Sequence, residues 1–288
     1  MKVCILGGDK RQLEIIKRLE NSCDITLVGF ENFECYHTIK KARMIDIDIN
    51  QYDCIILPVS GVNNDYSIKT LFGKNFSVNR NLFDNTKKSV LIFTGIVTEK
   101  LNEMLKTSNR KAVILMQDPD VIKENTIPSV EGILADIIYS TKITINNANI
   151  LVIGYGNIGK RLVNFLNMLG ANVAVGVKEE KDKIALLNIG QKTVLTTEKE
   201  KMSNILHDVD IIINTAPTLI LDKEYLITTN KNAYILDVSS YPYGVDFNCA
   251  DTLGIKNKLL LGIPSNVAPT TSGLILTQKI ELKMKEVK

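Results

Sequence analysis

The sequence predicts an α/β protein of two domains, a Rossmann-type dinucleotide-binding domain joined to a flavodoxin-like α/β substrate domain. Three observations predict it. A G-x-G-x-x-G run lies between an apolar strand and a helix, short buried strands recur along both halves before small or polar turns, and 288 residues with 45% hydrophobic content most naturally make two cores.

The glycine run is Gly154-Tyr155-Gly156-Asn157-Ile158-Gly159, and the strand before it is Ile150 to Ile153. Gly154 allows the tight turn, Gly156 lets a pyrophosphate approach the backbone, and Gly159 lets the helix pack closely on its strand. Helical apolar spacing continues from Lys160 to Leu169, Gly170 ends it, and Asn172 to Val177 reads as the next strand. An acid is expected after that strand, where it would accept from a ribose 2'-hydroxyl. Here Val177 runs into Lys178 instead, and a cation there pairs with a 2'-phosphate, favouring NADP over NAD. Glu179 and Glu180 follow directly and oppose that phosphate unless they turn away, and Lys178 also reads as a solvated loop residue.

In the N-terminal half, Met1 to Leu6 reads as a strand running into Gly7-Gly8-Asp9-Lys10-Arg11-Gln12, with Leu13, Ile16 and Leu19 marking a helix and Ile25 to Val28 a second strand. Cys54 to Leu57, Val90 to Phe93 and Ala112 to Leu115 add strands that end in Pro58-Val59-Ser60-Gly61, Thr94-Gly95 and Gln117-Asp118-Pro119. Such strand ends are where open parallel sheets bind ligands. Gly7-Gly8 lacks the rest of the dinucleotide spacing, so this half is expected to hold substrate.

Pro128-Ser129-Val130-Glu131-Gly132 then opens a crossover helix with Ser129 as its cap, continued by the apolar run Ile133 to Ile138. Downstream, Asp210 to Asn214 reads as a strand ending in Thr215-Ala216-Pro217, Tyr234 to Val238 as one ending in Ser239-Ser240, and Leu259 to Ile263 as one before Pro264. Thr215, Ala216 and Pro217 thereby join the cofactor-binding candidates. Asp237 lies within its strand and reads as a structural anchor for neighbouring turns. No charge occurs from Leu259 to Gln278, a length that suggests a membrane span, yet Pro264, Ser265, Asn266, Pro269, Thr270, Thr271 and Ser272 refute one. A strand, a Pro-bounded loop and a helix start fit better, with N–H groups near 270–273 available to an anion or to the nicotinamide amide. The expected domains are 1–127 for substrate, 128–142 for the crossover helix, 143–269 for the dinucleotide, and 270–288 for a last helix returning to the first half.

A formal charge of +3, from 35 basic and 32 acidic side chains, and the lack of basic–aromatic clusters argue against nucleic acid. No signal peptide opens the chain, so a cytoplasmic protein is expected. Five cysteines (Cys4, Cys23, Cys35, Cys54, Cys249) form no C-x-x-C pair and read as reduced thiols, with Cys4 and Cys54 in apolar strands as small core residues. Only His37 and His207 are present, which argues against a zinc site or a histidine triad, so no metal is expected. His207 falls at a helix end, His37 in a polar loop or helix, and both read as structural.

Over almost its whole length the chain resembles the dipicolinate synthase A-subunit family of spore-forming bacteria. The motifs are Gly7-Gly8-Asp9 with Arg11-Gln12-Leu13-Glu14, Leu57-Pro58-Val59-Ser60, Asn125-Thr126-Ile127-Pro128-Ser129-Val130-Glu131-Gly132, the glycine loop, Leu169-Gly170-Ala171-Asn172-Val173, Ile213-Asn214-Thr215, Asp246-Phe247 and Val267-Ala268-Pro269. The resemblance implies a fold like the 2-hydroxyacid dehydrogenases, NADP use, and oxidation at a CH–CH bond of dihydrodipicolinate or its hydrated precursor to dipicolinate. It further implies the dipicolinate synthase B-subunit as partner, a homo-oligomer, and a place in the mother cell during sporulation. In that light Lys10 and Arg11 are candidates to pair with substrate carboxylates, and Ser60, Thr94, Ser239, Thr270 and Thr271 to hold the substrate, with Arg11 and Ser239 also among the catalytic candidates. Asp9 or Glu131 is the candidate to position a water or act as base. Each also has a bland reading: Asp9 as a helix cap, Lys10 and Arg11 as solvated helix residues, Glu131 as a first-turn partner of the helix dipole, Ser60 and Thr94 as turn formers.

Departures from the family pattern fall near the cleft. Ser240-Tyr241-Pro242-Tyr243-Gly244 stands where the family tends to carry Ser-Arg-Pro-Gly-Gly, Thr270 where it tends to carry lysine, and Asn157 where an arginine is common. Loss of these cations leaves open a related oxidoreductase with a less anionic substrate, and also a cofactor-sensing protein without turnover.

Overall fold

The structure is a computed structural model and describes residues 1–34 and 39–287. Cys35 and His37 lie outside the described residues. The chain divides into two compact units, Met1–Asn125 together with the segment from Pro264 onward, and Thr126–Ile263.

The first unit contains β1 (Lys2–Leu6), β2 (Asp24–Val28), β3 (Lys40–Ala42), β4 (Cys54–Ile56), β5 (Ser67–Ile68), β6 (Phe76–Ser77), β7 (Leu91–Thr94) and β8 (Ala112–Ile114). Six of these form a parallel sheet in the order β3-β2-β1-β4-β7-β8. Without the three-residue edge strand β3, the order is that of a flavodoxin-like sheet. In β1 the alternation of the strand decides the packing: Val3 and Ile5 join one hydrophobic layer, Cys4 and Leu6 the other. Both faces are therefore buried, and strand ends alone are left for chemistry. Helices α1 (Arg11–Leu19) and α2 (Glu99–Thr107) cover the sheet, and β5 with β6 makes a short antiparallel hairpin.

That hairpin closes the first glycine turn. A Cβ on Gly7 would lie 2.7 Å from the Ile68 side chain and 2.7 Å from the Lys69 carbonyl, while Gly8 pairs with Thr70. The hairpin therefore takes up the space a side chain at Gly7 would need.

Helix α3 (Pro119–Ser140) carries the chain into the second unit. The sequence predicts a start at Pro128 with Ser129 as the cap, and the structure corrects this. Proline at the first helical position is already set for the helix, and Asp118 is the cap, its Oδ1 accepting from the N–H of Asp120 at 3.1 Å and of Val121 at 3.4 Å. Ser129 is buried inside the helix, and Pro128 removes a single helical hydrogen bond.

The second unit holds β9 (Asn149–Ile153), α4 (Asn157–Met168), β10 (Asn172–Val177), α5 (Glu180–Asn188), β11 (Thr193–Leu195), α6 (Lys199–Asp208), β12 (Ile211–Asn214), α7 (Lys223–Thr228), β13 (Tyr234–Asp237), α8 (Phe247–Thr252) and β14 (Lys256–Leu259). All six strands are parallel in the order β11-β10-β9-β12-β13-β14, the Rossmann order. Here too Ile150 and Val152 enter one layer, Leu151 and Ile153 the other. The apolar run places the last strand at 259–263. It ends at Leu259 instead, because Gly262 takes φ +64° and Pro264 follows, neither of which continues a strand.

The chain then passes through α9 (Ile263–Val267) to α10 (Pro269–Glu286). Residues 264–269, expected with the dinucleotide-binding half, pack with the first unit. Within that unit α10 lies against α1 at a point where only glycine fits: a Cβ on Gly273 would sit 2.7 Å from the Arg11 carbonyl oxygen. Lys279 pairs with Asp118 at 2.5 Å, and Ser272 donates to Asn125 at 2.8 Å. No helix among the described residues is long and apolar enough to cross a membrane.

Cys4 and Cys54 are fully buried; burial alone pushes the Cys4 thiol up to about 12, and burial first, with the neighbouring Cys23, Cys4 and Asp53 charges, raises that of Cys54. Thiolate is the reactive form. A maleimide or disulfide reagent at pH 8, followed by peptide mass spectrometry, is expected to leave Cys4 and Cys54 unmodified in the native protein while Cys23 and Cys249, both partly exposed, react. Denaturant should expose all four.

Candidate functional site

The end of β9 is built as a cradle. Gly154 takes φ +95°, with the Thr215 hydroxyl 2.5 Å from where a Cβ would stand, so no other residue makes this turn without strain. A Cβ on Gly159 would lie 2.2 Å from the Gly154 carbonyl oxygen, which holds α4 hard against the turn. Around Gly156 nothing lies within 4 Å of that position. Open space over one glycine, beside the N–H groups of Asn157, Ile158 and Gly159 in the first turn of α4, is what a pyrophosphate needs. The residues thus fit a dinucleotide. Lys160, which no sequence motif marks, places its Nζ 5.4 Å from the Tyr155 ring centroid and adds a cation beside the turn.

Next to this cradle a buried polar network fixes two loops. Asn214 and Asp237, adjacent across β12 and β13, are both fully buried. Asn214 Nδ2 donates to Asp237 Oδ1 at 3.0 Å, to the Ala216 carbonyl at 3.0 Å and to Ser239 Oγ at 3.3 Å. Asp237 also accepts from the N–H of Ser239 at 2.8 Å and of Gly244 at 2.7 Å. Thr215 donates its hydroxyl to the Ile153 carbonyl at 3.0 Å, so the Thr215-Ala216-Pro217 loop is tied to the glycine turn. Asp237 anchors its neighbouring turns, as its place within a strand suggests. Ser239 is buried in the same network rather than standing free.

At the adenosine end of this fold, Lys178 is exposed after β10, with Glu179 as the N-cap of α5. Nearby, Glu198 accepts from Lys183 at 3.1 Å, from Lys201 at 2.7 Å and from the Leu195 N–H at 3.0 Å. Lys201, then the Leu195 N–H and Lys183, hold the Glu198 carboxyl down at about 2. A depression of this unit lies elsewhere, around Asn149, Asn172 and Thr193 where strands begin. Parallel sheets bind at the opposite ends, so the glycine cradle is the better site.

In the first unit, strand order reverses between β1 and β4, and the predicted substrate residues flank that point. Asp9 caps α1. Its Oδ1 accepts from the Arg11 N–H at 3.0 Å, and Gln12 Oε1 accepts in return from the Asp9 N–H at 2.9 Å. The same carboxylate holds the Arg11 side chain, Nε to Oδ1 at 3.0 Å and Nη2 to Oδ2 at 2.6 Å. Arg11 is thus a buried, positioned fork rather than a solvated helix residue. Gln12 is a further member of this site, and the D-x-x-Q spacing of a capping box is its signal in the sequence; it is fully buried, with Nε2 unpartnered among the described residues.

Other candidates separate. Lys10 and Ser60 are exposed, whereas Thr94 is fully buried and donates to the Ile96 carbonyl at 2.8 Å, acting as a turn former. Thr270 and Thr271 are exposed in the first turn of α10, which Gly273 brings against α1 at Arg11. Glu131 is exposed well inside α3, not in a first turn, because that helix begins at Pro119. Among the described residues no cluster of metal-ligating side chains occurs.

Asp237→Ala strands two buried donors, the N–H groups of Ser239 and Gly244, and a denaturant titration should show the protein destabilised by about 3 kcal/mol, with dinucleotide affinity lowered because both loops lose their anchor. A second test uses acid. The folded pKa of Glu198 lies below its ordinary 4.5, so its stabilisation is complete above that value and is lost as pH falls from about 4.5 towards 2. In thermal melts across that range, Glu198→Gln should flatten this part of the acid dependence.

Residues 2–116 match the family model of the dipicolinate synthase A-subunit N-terminal domain, and residues 132–242 that of the alanine dehydrogenase/PNT C-terminal domain. The dipicolinate synthase A-subunit of Bacillus subtilis (strain 168) is 34% identical, over 100% of this chain and 97% of its own. The crystal structure of the dipicolinate synthase A-subunit from Bacillus halodurans superposes with a TM-score of 0.90 at 34% identity, covering 98% of this chain and 97% of that one. At fold level alone, D-lactate dehydrogenase from Escherichia coli gives a TM-score of 0.64 at 14% identity, covering 99% and 97%. A dehydrogenase-like dinucleotide-binding domain and a full-length relative at this identity lead to one conclusion: the chain belongs to the dipicolinate synthase A-subunit family.

Proposed function

We propose that this protein catalyses the NADP-dependent oxidation of dihydrodipicolinate, or of its hydrated precursor, to dipicolinate. The observation that carries the reading is the Arg11 guanidinium, locked by Asp9 at the switch point of the first sheet beside the opening turn of α10. Arg11 binds one substrate carboxylate through the edge of its fork that Asp9 leaves over. The first-turn N–H groups at Thr270 and Thr271, with Lys10 and Ser60, hold the other carboxylate. Asp9, both of whose oxygens are on Arg11, acts by positioning that group and not as a base.

The glycine cradle and Thr215-Ala216-Pro217 hold the cofactor, and Lys178 pairs with its 2'-phosphate. When bound, the nicotinamide supplies a two-electron hydride acceptor. The dihydropyridine ring gives up one hydride and one proton and becomes aromatic, which drives the step. Glu131 takes the proton, directly or through water. The dipicolinate synthase B-subunit joins this chain in the reaction, and the protein works as a homo-oligomer in the cytoplasm of the mother cell.

Purified protein, NADP+ and enzymatically generated dihydrodipicolinate, with and without the B-subunit, provide the test. Reduced nicotinamide and pyridine dicarboxylate should appear in equal amounts by absorbance. Arg11→Ala should raise KM for the substrate at least tenfold and leave NADPH affinity unchanged. No product in either mixture, despite NADPH binding, would overturn the reading.

A further inference from the structure

At the end of β13, the segment 239–244 is held on both sides by the buried network. Asp237 accepts from the N–H of Ser239 and of Gly244, and a Cβ on Gly244 would lie 2.2 Å from Asn214 Nδ2. Between these anchors stand two phenol rings. Tyr241 and Tyr243 meet edge to face, with centroids 5.7 Å apart and planes at 88°. Tyr243 takes φ +67°, a conformation that costs a bulky residue strain, and its N–H donates to the Ser240 carbonyl at 3.0 Å. Tyr241 is 81% exposed, although one face-on partner would bury most of it.

The position matters as much as the rings. Contacts run without a gap from the glycine turn through Thr215 and Asn214 to Asp237 and Gly244, so the pair stands on the same strand-end row as the dinucleotide cradle. A dinucleotide whose pyrophosphate lies on α4 reaches the ends of β12 and β13 with its nicotinamide. Tyr241 thus presents an exposed, electron-rich ring, on a rigid loop whose strained residue is Tyr243, at a place where a flat ring can cover it. We propose that Tyr241, braced edge-on by Tyr243, is a stacking platform for an electron-poor pyridine ring. Offset stacking on a phenol face favours such a ring, and the fixed loop lowers the cost of ordering the pair. This inference rests on the dinucleotide reading given above. The ring has two possible sources with one chemistry, the nicotinamide of the cofactor and the pyridine ring of the product.

Three ligands are titrated by calorimetry into wild type, Tyr241→Ala and Tyr241→Phe: NADP+, whose nicotinamide is the electron-poor pyridinium, the 2'-phosphate of ADP-ribose, and pyridine-2,6-dicarboxylate. Tyr241→Ala should weaken NADP+ about tenfold and leave the ADP-ribose 2'-phosphate within twofold, and Tyr241→Phe should restore affinity. A tenfold loss confined to pyridine-2,6-dicarboxylate supports the platform with the product as the stacked ring. Equal losses for NADP+ and the ADP-ribose 2'-phosphate would mean that the loop was damaged and would overturn the platform, as would unchanged affinity for both pyridine ligands. Failure of wild type to bind either nucleotide would instead defeat the dinucleotide reading itself.

Discussion

Burial of both faces of two parallel sheets is the constraint on which the rest of this structure depends. Once Val3 and Ile5 face one layer and Cys4 and Leu6 the other, no side chain inside β1 can do chemistry, and the same holds for Ile150 to Ile153 in β9. Polar function is driven to the loops after the strands. The sequence obeys that rule with Gly7-Gly8-Asp9 after β1, Pro58-Val59-Ser60 after β4, the glycine cradle after β9 and Thr215-Ala216-Pro217 after β12. Asn214 and Asp237 are two exceptions. They bring polar groups into the last position of central strands, and each is tolerated because the groups turned inward find partners.

The two glycine turns differ in one physical respect. Gly7 and Gly8 leave no free backbone, since Ile68, Lys69 and the Gln12 amide crowd them, whereas Gly156 faces open space. A glycine that accommodates the protein's own hairpin and a glycine that accommodates a ligand look alike as letters. Spacing separates them here, because only the second turn carries the third glycine against which its helix packs. The same division sets the two units apart: the glycine turn of the first is filled by its own hairpin, and that of the second is open above Gly156.

Much of the architecture is legible in the sequence because alternating or continuous apolar runs set off by glycine and proline define strands. Where sequence misleads, two local rules compete. At Pro128-Ser129 a proline followed by a capping side chain looks like a helix start, but Asp118-Pro119 offers the same signal earlier, and packing of Val130, Ile133 and Ile137 carries the helix across the later proline. At 259–263 an apolar run looks like a strand, yet the pairing of β13 with β14 runs from Lys256 to Leu259, where two lysines disguise it. Edge strands tolerate such charges, so hydrophobicity alone does not place the last strand. Lys160 escapes notice for another reason: its place comes from the Tyr155 ring it faces in three dimensions, and lysine is neither scarce nor diagnostic.

Arg11 is the residue whose meaning changes most between sequence and structure. An arginine at a helix start is ordinarily a solvated side chain, and a surface pair with a nearby acid is worth little. Here the side chain is 10% exposed and is held by two charge-assisted bonds from a carboxylate that also caps the helix. Asp9 neutralises the guanidinium while the site is unliganded, which limits the cost of keeping the cation out of water, and it fixes the plane of the fork before any anion arrives. A dianion meeting this pair gains a preset bidentate donor and also feels the Asp9 charge behind it. The balance favours a ligand only if further positive potential is at hand. The opening turn of α10, set against α1 where Gly273 allows close approach, offers such potential from backbone N–H groups to the anion proposed above.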